Sequence, residues 1–110
     1  MEIDLDYADY KTINYHKGYT IGFNSDILPI NDLEVELLQR FKKHLAKAKG
    51  VLIKYTISED ENLLDISAIM EKLNNIIDND VEIIFGTEID NNLKIEECRF
   101  HILIAGLETI

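Results

Sequence analysis

Val51-Leu52-Ile53-Lys54-Tyr55-Thr56-Ile57 is the stretch whose reading decides the fold. It is rich in β-branched and aromatic residues, the types that suit a pleated surface. Val51, Ile53, Tyr55 and Ile57 share one parity and Leu52 takes the other, so apolar side chains emerge on both faces. A strand of that kind belongs at the centre of a sheet rather than at its edge.

Outward from this strand, helical and extended periods alternate. Upstream, Leu33, Leu37, Leu38, Phe41, Leu45 and Ala48 recur at helical spacing over residues 32–49, with Lys42, Lys43, Lys47 and Lys49 near the end where the helix dipole favours cations. Asn31 and Glu34 form a capping-box-like start, and Gly50 a stop. Downstream, Ser58 and Glu61 offer a second capping box, after which Leu63, Ile66, Met70, Leu73 and Ile77 make a helical stripe. Residues 81–86 read as another strand, and a turn at Asn91-Asn92 leads by a hairpin-type connection into a last one over 93–105.

Nearer the start, residues 19–23 alternate as a strand does, with Gly22 marking a bulge or an edge and Pro29 preventing continuation. Residues 6–16 read as a short helix, opened by Asp6 and Asp9 and carrying Tyr7, Tyr10 and Ile13 as an apolar stripe. The predicted fold class is therefore α+β: a short N-terminal helix, then β-α-β-α-β-β, with a four-stranded mixed sheet joined by right-handed crossovers. Residues 1–17 are expected to stand outside a compact unit formed by residues 18–110.

Composition narrows the function. A chain of 110 residues that is 46% hydrophobic suffices for one domain with a real core. Its formal net charge of -10 repels phosphate backbones and anionic lipid, so neither nucleic acid nor a membrane surface is an expected partner. The single Cys98 forms no internal disulfide, and the acidic N-terminus does not resemble a secretory leader, so a cytoplasmic location is expected. No apolar run approaches the roughly 20 residues that span a bilayer. Glycines 18, 22, 50, 86 and 106 are isolated and build no phosphate-binding loop; no cofactor site is expected. His16, His44 and His101 lie in three different elements and no CxxC pair exists, so no metal site is expected either. Cys98 runs in phase with Phe100, Ile102 and Ile104 and reads as a small core residue.

The chemistry concentrates in Asp4-Leu5-Asp6-Tyr7-Ala8-Asp9, where three carboxylates fall within six residues. Carboxylates this close repel one another, so they either cap a helix or hold negative charge ready for a water, a metal or a cation. Local pattern alone favours the helix start.

With Tyr10-Lys11-Thr12 added, that segment resembles the Asn-x-Asp-Phe-Ala-Asp-Val-Arg/Lys-Thr stretch of FtsZ, the bacterial cell-division relative of tubulin. Three further blocks follow in the family's order: Ala48-Lys49-Gly50-Val51-Leu52-Ile53, Ile83-Ile84-Phe85-Gly86-Thr87-Glu88-Ile89-Asp90 and Ile102-Leu103-Ile104-Ala105-Gly106-Leu107. The resemblance covers the family's second half. It implies a C-terminal domain with the sheet ordered 1-4-2-3 and two helices on one face. Residues 1–17 then correspond to the family's synergy loop and the short helix after it.

By resemblance, this domain polymerises head to tail at the division site, or septum. Asp6 and Asp9 reach the GTP of a neighbouring subunit and act in trans as catalytic residues, with Asp4, Tyr7 and Tyr10 at the interface. The expected partner is an FtsZ-like N-terminal GTPase domain or adjacent filament subunit, which carries the GTP; the chain alone binds no nucleotide and is expected to be inactive. The alternative is a standalone module that caps or regulates division filaments. A small-molecule enzyme on a similar sheet is a third reading, which fold likeness alone does not support.

Three departures from the family pattern stand out. Asp4 replaces a neutral amide and adds charge where a triphosphate would approach; Ser58-Glu59-Asp60 replaces glycines after the central strand; and the tail that recruits membrane adaptors has no counterpart through Ile110, so direct membrane contact is not expected. An apolar sheet face left open by helices on one side only would make the chain weakly self-associating.

Overall fold

A computed structural model of the chain describes residue 5, residues 7–61 and residues 63–109. The elements run α1 (Tyr7–Asn14), β1 (Tyr19–Asn24), β2 (Leu28–Pro29), a 3-10 turn (Ile30–Asp32), a π-helical turn (Val35–Gln39), α2 (Arg40–Lys47), β3 (Gly50–Ile57), α3 (Leu63–Ile76), β4 (Glu82–Ile89) and β5 (Glu97–Leu107). The sheet is mixed and ordered β1-β5-β3-β4, with two-residue β2 added to β5. Setting β2 aside, this is the 1-4-2-3 order implied by the resemblance.

β3 takes the interior position that its sequence demanded: it pairs parallel with β4 and antiparallel with β5, and seven of its eight residues are buried, Lys54 excepted. β4 and β5 do not form the hairpin expected from their short connection. The turn after β4 crosses the end of β3, where Asp90 N–H donates to the Ile57 carbonyl at 3.0 Å, and β5 enters on the far side. β3 and β5 are the most apolar strands, so seating them side by side in the middle buries more surface than a β4–β5 hairpin would.

The alternation of β3 divides the packing in two. Val51, Ile53, Tyr55 and Ile57 join Cys98, Phe100, Ile102 and Ile104 of β5 in the main core, under Leu33, Leu37, Phe41 and Leu45 on one side and Ile66, Ile69, Met70 and Leu73 of α3 on the other. The opposite face holds a smaller cluster of Ile13, Leu52 and Ala105, against which Leu5, Tyr10, Ile84 and Leu103 pack. Two helices thus cover one face, as the resemblance implied, and α1 docks on the other.

Several local expectations are corrected. The helix expected over 32–49 is helical from Ile30 but runs through the 3-10 and π turns before α2. Its start is Pro29 with no side-chain cap, and Asn31 lies inside the first turn. The buried Ser58 hydroxyl has no hydrogen-bond partner among the described residues; the Ser58 carbonyl instead accepts from Glu61 N–H at 3.2 Å. β1 is an edge strand, but the register shift against β5 falls between Tyr19 and Ile21, where β5 carries the extra residue. There Gly106 adopts φ +77, and an added Cβ would lie 2.6 Å from Lys49 Cβ. Glycine is required there for both reasons.

Candidate functional site

α1 forms because Tyr10 and Ile13, three residues apart, meet the same apolar strip of sheet. Ile13 is fully buried against Leu52 and Ala105, while Thr12 Oγ1 donates to the Ala8 carbonyl at 2.8 Å on the outer side. The helix end is tied down by His16, whose Nε2–H donates to Glu82 Oε1 of β4 at 3.1 Å. Gly50, at the start of β3, makes room for that ring: a Cβ there would approach His16 Cδ2 to 2.7 Å. The C-terminal half of α1 is therefore held to the sheet at two points, Ile13 and His16.

Of the residues expected to act, Asp9 lies in the first turn of α1, partly exposed, where negative charge complements the helix N-terminus. Tyr10 turns onto the sheet, its ring 6.3 Å from the His101 ring. Asp4, Asp6 and the side chain of Tyr7 lie outside the described residues. Asp9 and Tyr10 are thus carried by one short helix, but Tyr10 also contributes to its docking.

Beyond α1 the same sheet face is polar and open, a feature that sequence reasoning missed. His101 Nδ1–H donates to Asn24 Oδ1 at 2.8 Å; Lys54 pairs with Glu88 at 3.3 Å; Arg99 pairs with Asp90 at 3.0 Å. Cross-strand register places His101 beside Lys54 and Arg99 beside Thr56. The alternation His101, Arg99 along β5 and the single Lys54 in β3 were the available signals. Burial, then the neighbouring Lys54 charge, push the His101 pKa below its ordinary value, against a backbone hydrogen bond that raises it. Asp90 is held below the usual carboxylate range by hydrogen bonds from Asn92 N–H and Arg99. The apolar face expected to remain open is therefore apolar only where α1 covers it.

The main core offers no nucleophile. Cys98 is fully buried, and burial followed by the Glu61 charge pushes its thiol up to about 12, so it stays protonated near neutral pH. Tyr55 is raised further by burial, and its hydroxyl donates to Met70 Sδ at 3.0 Å. Among the described residues no three His, Cys, Asp or Glu side chains converge as a metal site would require, and no helix is long and apolar enough to cross a membrane.

Comparison with known proteins bears on this arrangement. Residues 31–108 match the model of the FtsZ family, C-terminal domain. Among solved structures, an empty FtsZ dimer from M. jannaschii is 22% identical with a TM-score of 0.68, covering 93% of this chain and 31% of its own. A point mutant of FtsZ from M. jannaschii is likewise 22% identical with a TM-score of 0.72, covering 96% of this chain and 33% of its own. The chain thus spans about a third of the length of the solved structures it matches. No curated protein sequence matches it.

Proposed function

Because the chain belongs to the FtsZ family, through its C-terminal domain, we propose that it is the polymerisation domain of an FtsZ-like cell-division GTPase and supplies Asp6 and Asp9 in trans to GTP hydrolysis between subunits. The observation that supports this reading is the docking of α1: a helix pinned by Ile13 and His16 gives Asp9 a set position relative to the family fold behind it. Phosphoryl transfer needs a water held in line with the leaving group, and a carboxylate does this as acceptor or base without covalent chemistry. GTP would be held by the neighbouring subunit, so turnover would follow assembly, at the cytoplasmic division site. Asp4, Tyr7 and Tyr10 would border the contact, with Asp4 placing extra negative charge toward the triphosphate and slowing hydrolysis.

The test mixes the chain with a separately expressed FtsZ-like N-terminal GTPase domain and follows GTP turnover and sedimentation. Stimulated turnover that Asp6→Ala and Asp9→Ala abolish is the expected result. Shortened filaments with no gain in turnover would assign the capping role instead, and no effect of wild type or variants on either readout would overturn both.

A further inference from the structure

Opposite charges pair across several elements of the described surface: Arg40 with Glu36, Lys54 with Glu88, Lys72 with Glu34, Arg99 with Asp90 and His16 with Glu82, at distances between 2.8 and 3.3 Å. One end of the domain behaves differently. Where β3 and β4 begin and β5 finishes, a cavity of about 720 Å³ is lined by Lys47, Lys49, Asp78, Asp80 and Glu108. Charges of both signs face the same space there, yet none of the five takes part in an ion pair among the described residues. His16 also lines the cavity, but Glu82 already holds it.

Backbone bonds fix the lining. Lys49 N–H donates to the Ala105 carbonyl at 2.9 Å, and Glu82 N–H donates to the Lys49 carbonyl at 3.2 Å, which ties the residue before β3 to β5 and to β4. The stem of Lys49 lies over Gly106, where an added Cβ would come within 2.6 Å of it. Buried Ala48 and Leu107 and half-buried Val81 supply apolar surface. Lys47 is the last residue of α2, Asp78 and Asp80 lie in the turn between α3 and β4, and Glu108 follows β5.

The two signs are not equally well placed. Lys47 stands where the last carbonyls of α2 favour a cation. α3 has no basic residue in its last turn, and Asp78 and Asp80 come just after it, so two carboxylates stand at the negative end of that helix. Such an arrangement is unfavourable by itself and is relieved by an added cation. Lys47 and Lys49 make no pair with those carboxylates, so the relief must come from a ligand that also carries an anionic group for the two lysines.

We propose that this cavity binds a short zwitterionic peptide, with its carboxylate at Lys47 and Lys49 and its ammonium at Asp78 and Asp80. An extended tripeptide is roughly 10 Å long, and small-ligand sites occupy about 300–1,000 Å³, a range that includes this cavity. Small side chains would rest on Ala48, Val81 and Leu107. The site lies at the His16 end of α1, away from Asp9, and is independent of the GTP chemistry proposed above.

The probe is trialanine with both termini free, titrated into the chain at neutral pH and low salt, with NMR shifts of the backbone amides as readout. Saturable shifts at Lys49, Val81, Gly106 and Leu107 are expected, weakened by added salt. N-acetyl-trialanine keeps only the carboxylate and trialanine amide only the ammonium; each should bind at least about tenfold more weakly, because one charged partner is lost. The double variant Lys47→Met, Lys49→Met should bind trialanine and its amide alike, and Asp78→Asn, Asp80→Asn should bind trialanine and its acetylated form alike. The capped peptides test the charge pattern without altering the protein. Equal binding of trialanine and either capped form by the unaltered chain, shifts centred on another surface, no saturable shift, or unchanged preferences in both double variants would each overturn the proposal.

Discussion

The two faces of β3 are built from neighbouring residues of one strand and behave as different materials. Val51, Ile53, Tyr55 and Ile57 look into a large core closed by α2 and α3; Leu52, Lys54 and Thr56 look onto a face that is apolar only under α1 and polar beyond it. The first face holds the domain together. The second fixes α1, and with it Asp9, one of the two carboxylates on which the proposed chemistry depends. Stability and function are thus separated by strand parity rather than by distance along the chain.

The separation can be broken most strongly from the main-core side. Leu73→Ala removes a fully buried side chain of α3 and is expected to cost about 2–5 kcal/mol, read as a lower denaturation midpoint with little change in slope. Ile13→Ala acts on the small cluster, which a short helix can leave without opening the sheet. Its cost should fall near the lower end of that same range of about 2–5 kcal/mol. Hydrogen exchange should show protection lost in α1 and retained in β3; equal loss in both would mean that the two faces form one cooperative unit.

Smaller effects sharpen the comparison on the polar half. The folded-state pKa of His101 lies below its ordinary 6.5, so the unfolded chain binds the proton more readily. Stability should therefore be complete above 6.5 and decline as pH falls from there through the depressed folded value. His101→Gln should remove that slope. Lys54→Met should raise the His101 titration point in NMR, because it deletes a nearby positive charge, while changing stability by less than about 1 kcal/mol, as expected for a half-exposed ion pair. Asp90, depressed by its bonds from Asn92 and Arg99, contributes above the usual carboxylate range and loses that contribution as pH drops through its lowered value. Asp90→Asn should flatten this more acidic limb, and that is the smallest of the expected changes.

Much of this was legible in residue order. The two-sided apolar pattern of residues 51–57 marked a central strand, the stripe from Leu63 to Ile77 marked a helix, and the in-phase position of Cys98 marked a core residue. The capping boxes at Asn31 and Ser58 were not realised, because a cap depends on where the backbone turns and both residues lie where other bonds set the turn. The π turn at Val35–Gln39 left no mark in a periodicity that both helix types nearly satisfy. For the candidate site, sequence identified the helix that bears Asp9 and Tyr10, but not that Tyr10 would pack beside His101, a residue far along the chain.

By itself the sequence determined the main strands and helices, their apolar faces and the family, because period and parity are local properties that a single strand or helix already expresses. The sheet order came with the family resemblance and not from any local pattern, and only the tertiary structure decided that α1 would cover the second face and that Tyr10 would pack beside His101. Those choices depend on which arrangement of several amphipathic pieces buries the most apolar surface while pairing their backbone groups, a comparison that no one segment contains.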